Sequence, residues 1–135
     1  MEQPSVAVAQ ESIVVNAPAA ELYERWLRFE EFPKFIKPMR DVKRIDETHF
    51  SFTFGSNGDA RESSLEIMFQ SPGRRIAWRI MSDGVGLAVV SFEAQLDGST
   101  EVTLKLRSAF NPLLSAPRAT EYLTEFKRLA EASPN

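Results

Sequence analysis

The sequence predicts an α+β domain in which one antiparallel sheet packs against a long C-terminal helix. Between Met39 and Arg107, apolar residues recur at every second position in five successive runs, which is the period of strands with one apolar face. The dipeptides Asn57-Gly58 and Asp97-Gly98 separate such runs, and both are strong hairpin signals because these turns favour Asn, Asp and Gly. Ser115–Ala132 then carries apolar residues at helical spacing. Together the three patterns predict a sheet whose apolar face is covered by the last helix.

A strand and two short helices are expected before this meander. Val6–Val15 is partly apolar on both faces, so its orientation is open and a bulge near Gln10-Glu11 fits the pattern. Asn16 is expected to cap the first helix, because Asn is a favoured cap residue and Pro follows in the first turn. The apolar stripe of that helix runs from Leu22 to Phe29. A second helical piece is expected over Glu30–Ile36.

The turn signals predict six more strands after the first. They lie at about residues 40–46, 49–55, 60–70, 74–81, 87–96 and 100–108. The alternation puts Phe69 and Leu96 on the inward face with the other apolar residues. At 1.5 Å per residue the final helix is about 27 Å long, similar to a strand of eight residues. One helix can therefore lie along the whole apolar face, and the first helices are expected to close one end.

Composition describes a single domain over residues 1–135 and excludes several kinds of function. The net charge of −3 argues against a nucleic-acid partner, which would need a clustered positive field. The absence of cysteine excludes disulfides and thiolate zinc sites, and the single His49 excludes a multi-histidine metal site. We therefore expect no metal and no cofactor. With no run long enough to span a membrane and no leader pattern, the expected location is the cytoplasm.

Four short motifs carry a resemblance to a known family. They are Ile13–Pro18, Leu22-Tyr23 with Trp26, the segment Phe29–Phe35, and Ile76–Arg79. With these motifs the chain resembles the polyketide cyclase/dehydrase family over about Ser12–Leu106, and is most similar to its small bacterial and coenzyme Q-binding-like members.

The resemblance implies the helix-grip fold of the START-like (SRPBCC) superfamily, which is also that of Bet v 1. In that fold a seven-stranded antiparallel sheet wraps around a long C-terminal helix, and two short helices follow the first strand. It further implies a cavity between the sheet and the last helix that binds lipid-, quinone- or polyketide-like molecules. No shared catalytic set comes with the motifs, so no catalytic residue is assigned. The expected partner is a small hydrophobic molecule, and the expected state is a monomer or a homodimer.

Inward-facing side chains are predicted to line such a cavity, because a curved sheet closed by one helix is hard to fill completely. Trp78 either stacks on a ligand or fills the core. Arg61 and Ser63 share the inward parity, and Arg61 either binds an oxygen at the cavity mouth or lies in water beside the hairpin. Tyr122 is the expected polar group inside. The predicted lining residues are Phe52, Phe54, Arg61, Ser63, Leu65, Ile67, Trp78, Ile80, Val90, Phe92, Leu104, Tyr122 and Phe126.

Two titratable features are interpreted as surface groups. His49 follows the turn Asp46–Thr48 and has no paired acid in a motif, so we expect it to be exposed rather than a general base. Glu30-Glu31 are adjacent on a helix and point apart, so they are not expected to share a proton.

Three functions fit these observations. The first is a binder or carrier of a small hydrophobic molecule, which predicts a closed apolar cavity. The second is an enzyme of the polyketide cyclase or dehydratase type, which requires inward polar groups, with Arg61, Ser63 and Tyr122 as the candidates. The third is an interaction module whose interior is filled by its own Phe and Trp side chains.

Overall fold

A computed structural model describes residues 7–36, 39–54, 61–81, 85–108 and 116–132. Seven strands form one antiparallel sheet in the order β1-β7-β6-β5-β4-β3-β2. The elements are β1 (Ala7–Val15), α1 (Ala19–Trp26), a 3₁₀ helix (Phe29–Lys34), β2 (Met39–Arg44), β3 (His49–Phe54), β4 (Arg61–Ser71), β5 (Arg75–Met81), β6 (Val85–Ala94), β7 (Thr100–Ser108) and α2 (Ala116–Ala132). This arrangement confirms the predicted helix-grip architecture. None of the helices in the described part of the chain has both the length and the apolar character that a membrane span requires.

The first strand has a defined inner face, which the sequence left open. Ala9 and Val15 are buried and Ile13 packs against the core, whereas Val8 and Val14 are about half exposed. β1 pairs with β7 in continuous register from Ala7 to Val15, so the bulge expected near Gln10-Glu11 is absent. The predicted hairpin at Asn57-Gly58 lies outside the described residues.

Two residues placed inward by strict alternation are exposed in the structure. β4 contains a bulge, because Ile67 pairs with Trp78 while Phe69 pairs with Ala77, the next residue back along β5. A bulge shifts the following residues to the opposite face, and Phe69 is 51% exposed as a result. Leu96 lies beyond the end of β6, in the turn to β7, where it is fully exposed.

The first helix begins later than expected, and Asn16 does not cap it. The N-cap is Pro18, which makes no side-chain capping bond. The backbone N–H of Asn16 donates instead to Glu131 at the end of α2, over 2.8 Å. Lys127 donates to the backbone oxygen of Val14 over 2.7 Å and also pairs with Glu131. These bonds attach the C-terminal turns of α2 to the end of β1.

The last helix and the two short helices all pack against the sheet. α2 makes its main contacts with β1 and β7, whereas the 3₁₀ helix packs on β2 and α1 packs on β6. The short helices bring large aromatic residues into the interior. The fully buried large side chains are Trp26, Phe29, Phe32, Phe50, Phe52, Phe126, Leu22, Met39, Leu65, Ile76, Leu104 and Leu106.

Candidate functional site

The centre of the interior is an aromatic cluster around Trp26. Its ring lies 4.7 Å from the ring of Phe126 and 5.2 Å from that of Phe35, measured between centroids. The rings of Trp78 and Phe32 both lie 6.0 Å away. Such tilted and edge-to-face pairs are favourable arrangements for aromatic rings. The cluster therefore joins α1, the 3₁₀ helix, α2 and β5 in one packed unit.

Beside this cluster lies an apolar cavity of about 20 Å³. A cavity needs roughly 10–15 Å³ to hold one water molecule. The described interior is therefore nearly filled by side chains. The residues that line it are Trp26, Phe32, Ile36, Met39, Trp78, Ile80, Ala88, Leu104, Leu106 and Tyr122.

Two buried polar atoms in the interior have no hydrogen-bond partner among the described residues. They are the indole nitrogen Nε1 of Trp26 and the hydroxyl oxygen Oγ of Ser63. Trp26 itself lines the cavity. Ser63 is on β4, one inward-facing position before Leu65, which pairs with the cavity residue Ile80. Buried polar groups are paired in most proteins, so the indole N–H in the cavity wall is an unusual feature of this interior.

Tyr122 supplies a hydroxyl group at the same cavity. Burial raises the pKa of its phenol, and Arg118 offsets only part of that effect. The side chain is 3% exposed, and it takes part in polar or ring contacts of its own. The phenol therefore stays protonated at neutral pH and is a hydrogen-bond donor rather than a base.

The predicted lining residues divide into three groups. Trp78, Ile80, Leu104 and Tyr122 border the cavity. Phe52, Ser63, Leu65, Ile67, Val90, Phe92 and Phe126 are buried around it. The side chains of Phe54 and Arg61 lie outside the described part of the structure. Six further residues line the cavity and were not predicted, although the excess of apolar residues over Phe29–Ile36 is a signal for two of them, Phe32 and Ile36. The six are Trp26, Phe32, Ile36, Met39, Ala88 and Leu106.

His49 belongs to a charged network on the outer face of the sheet, where the sequence suggested no partner. Its Nδ1 lies 2.9 Å from Oδ1 of Asp46, and its Nε2 lies 3.3 Å from Oε2 of Glu66. Glu66 also pairs with Arg79 on β5. The hydrogen bond that the Asp46 carboxylate accepts from the His49 ring is the main reason that the pKa of His49 is raised. With its side chain 45% exposed, His49 lies on the surface as expected, but the expectation that it lacks an acid is wrong.

The outer face also carries an open groove of about 870 Å³. Its walls include the cations Arg74, Arg75 and Lys105 and the carboxylates Glu93 and Glu101. The two carboxylates face each other on β6 and β7. Because charges of both signs are mixed and the groove is open to solvent, it favours no class of ligand.

Residues 15–125 match the family described as polyketide cyclase / dehydrase and lipid transport. The chain belongs to this family. It is also 32% identical over 98 residues to an uncharacterized 17.2 kDa protein of Streptomyces lincolnensis. That match covers 72% of this chain and 65% of the relative, so the chain spans just under two thirds of the relative's length.

Solved structures share the fold at low sequence identity. DR_A0006 of Deinococcus radiodurans has a TM-score of 0.77 at 23% identity, over 93% of this chain and 98% of that one. The START superfamily protein of Mycobacterium smegmatis has a TM-score of 0.71 at 13% identity, over 93% and 94%. The di-domain ARO/CYC protein StfQ of the steffimycin biosynthetic pathway has a TM-score of 0.70 at 12%, over 94% and 51%. Family and fold support a ligand-binding or cyclase role for this START-like protein.

Proposed function

We propose that this protein binds and carries a small apolar molecule in the interior between the sheet and α2. The observation that carries the proposal is the apolar cavity, whose wall contains Trp26 and Tyr122. Both side chains are buried, and the indole N–H of Trp26 has no hydrogen-bond partner among the described residues. Enclosed apolar sites with a few polar groups are typical of small-molecule binding. The match to a family that includes lipid transport agrees with this role.

A ligand must displace some of the side chains that fill the interior, since the cavity of about 20 Å³ is close to the size of one water molecule. Met39 is a suitable wall for such a change, because its unbranched thioether side chain adapts to irregular spaces. In the ligand-bound state the side chains that line the cavity therefore adopt a second, more open arrangement. The ligand stabilises this arrangement among the conformations that the protein already samples.

A carrier is favoured over an enzyme because of the polar groups that face the interior. Among the described residues, the buried side chains that carry a polar group other than the indole are the hydroxyl residues Ser63, Ser99, Thr100, Tyr23 and Tyr122, and no Asp, Glu, His, Lys or Arg is buried. General acid–base catalysis needs a titratable group within reach of the substrate. The cyclase alternative rests on the cyclases and dehydrases in the family and on Ser63, Tyr122 and Arg61. Turnover of a poly-β-ketone probe that is lost in Tyr122→Phe would support it.

Tryptophan fluorescence tests the carrier proposal directly. The chain has two tryptophans, and both Trp26 and Trp78 line the cavity. Titration with decanoic acid, menadione and 2-naphthol should change the fluorescence in a saturable way for at least one probe. Native mass spectrometry of the gently purified protein should also detect a bound small molecule.

The interaction-module alternative predicts the opposite results. In that case the aromatic side chains fill the interior permanently, the mass spectrum contains apoprotein alone, and none of the three probes saturates. Those outcomes together would reject the carrier proposal.

A further inference from the structure

We infer that the indole N–H of Trp26 selects the ligand by donating a hydrogen bond to an oxygen acceptor on a neutral, apolar molecule. This inference rests on the proposed carrier function and adds the class of ligand and the residue that recognises it. It depends on three observations: the missing partner of Nε1, the position of Trp26 in the cavity wall, and the chemistry of the groups around it.

Trp26 is completely buried, and its Nε1 has no hydrogen-bond partner in the described part of the structure. Burying a donor without an acceptor destabilises the fold, because the lost hydrogen bonds to water are not replaced. Such donors are therefore rare, and each needs an explanation such as a bound ligand that supplies the acceptor. The residue also borders the apolar cavity. A ligand that displaces the side chains around this space can supply the missing acceptor.

The surroundings of Trp26 hold its ring in place and offer few protein acceptors. The rings of Phe126, Phe35 and Phe32 lie 4.7, 5.2 and 6.0 Å from it, at steep angles. Aromatic faces are weak acceptors compared with oxygen. The donor is therefore already oriented before the ligand arrives, and it favours an oxygen over the neighbouring rings.

The interior also restricts the charge of the ligand. No lysine, arginine or histidine is buried among the described residues, so a carboxylate in the cavity would lack a counter-ion there. Placing an unpaired charge in an apolar site is strongly unfavourable. A ketone, quinone, ester or ether oxygen fits this donor, and a fatty-acid carboxylate does not.

Acetophenone and ethylbenzene form a matched pair of probes, because they are similar in size and differ in one carbonyl oxygen. The quantity to compare is the ratio of their affinities, measured by calorimetry for the wild type, Trp26→Phe and Trp78→Phe. Trp26→Phe keeps an aromatic ring and removes the donor, and Trp78→Phe makes the same change at another cavity residue. We expect Trp26→Phe to shift the ratio against acetophenone by about tenfold, as for one neutral hydrogen bond, and Trp78→Phe to leave it unchanged.

NMR of the wild-type protein gives a second readout that does not depend on the folding of a variant. The two indole N–H signals are assigned with Trp78→Phe. Acetophenone should move the Trp26 signal downfield by hydrogen bonding, and ethylbenzene should not. An unchanged affinity ratio in folded Trp26→Phe, or equal shifts with both probes, would overturn the inference and leave the carrier function standing. If neither probe binds and no probe in the fluorescence panel saturates, both proposals fail.

Discussion

The rings of Trp26 on α1 and Phe126 on α2 lie 4.7 Å apart at an angle of 60°, in an edge-to-face contact. This pair connects the helix that follows the first strand to the helix that ends the fold. Trp26 also lines the cavity, so the same side chain contributes to the packing of the interior and to the candidate ligand site. Four predictions test how far stability and binding depend on this interior and on the turns and charges around it.

Replacing Trp78 with alanine should destabilise the fold strongly. Trp78 is 3% exposed, and its ring lies 5.6 Å from Phe29 and 5.9 Å from Phe32. Removing a packed tryptophan costs about 3–5 kcal/mol of unfolding free energy, measurable by urea denaturation. Met81→Ala, on the outer face of the same strand, is the control and should cost much less because Met81 is 46% exposed. A loss below about 1 kcal/mol for Trp78→Ala would contradict its role in core packing.

Filling the cavity should prevent binding. Ala88 lines the cavity, so Ala88→Val places two methyl groups in the space that the ligand needs. The affinity for acetophenone or for any probe that saturates should fall at least tenfold. Because the space is close to the size of one water molecule, the two methyl groups also overpack it and should lower the free energy of unfolding by about 1–3 kcal/mol. Ala77→Val makes the same change on the outward side of β5, where the residue is only partly buried, and should leave affinity unchanged. Equal affinities in the two variants would place the ligand elsewhere.

Gly98 should resist substitution for a purely conformational reason. Its φ is 90°, in the left-handed region, and a Cβ added there would contact nothing within 4 Å. Gly98→Val should therefore cost about 1–2 kcal/mol through backbone strain alone. Gly98→Asn should cost less, since Asn adopts such conformations more readily. The melting temperature reports both, and equal melting temperatures for the wild type and Gly98→Val would mean that this turn relaxes without cost.

The pair of His49 with two carboxylates should make stability depend on pH. Both ring nitrogens face a carboxylate oxygen, so the protonated ring is favoured, and the pKa of His49 is raised above 6.5 mainly by Asp46. For a raised pKa, the stabilisation is fully present below pH 6.5 and is lost as the pH rises through the folded-state value. The difference in unfolding free energy between the wild type and His49→Gln should therefore favour the wild type more at pH 5.5 than at pH 8.5.

The same network can be followed by NMR, because His49 is the one histidine of the chain. Asp46→Asn should lower the pKa of His49, and Asp97→Asn should not, since Asp97 bonds to Ser99 in a different turn. The Asp46 carboxyl itself has its pKa lowered to about 2, first by the backbone N–H of Thr48 and then by His49. Its stabilisation is present above pH 3.8 and disappears as the pH falls through about 2. An Asp46→Asn variant with an unshifted His49 titration would rule out the pairing.

The sheet and its inward residues were predictable because strand periodicity is local. Phe52, Ile80, Val90 and Leu104 all face the interior as their alternation indicates. The prediction failed at Phe69, where the bulge after Ile67 reverses the parity, and a bulge has no local sequence signal here. It also missed the acids beside His49, since Glu66 is close only after β3 and β4 pair.

By itself the sequence determined the strand order along the chain, the apolar face of the sheet and the family, all of which follow from periodicity, turn residues and short motifs. Only the tertiary structure decided how the interior is filled. Trp26, Phe32 and Ile36 reach the cavity from α1 and from residues 29–36, and their distance from the sheet depends on how these segments pack. Volume and hydrogen-bond partners are properties of the assembled interior. The cavity, and an indole N–H of Trp26 that meets no acceptor in the described part of the chain, therefore became visible only in three dimensions.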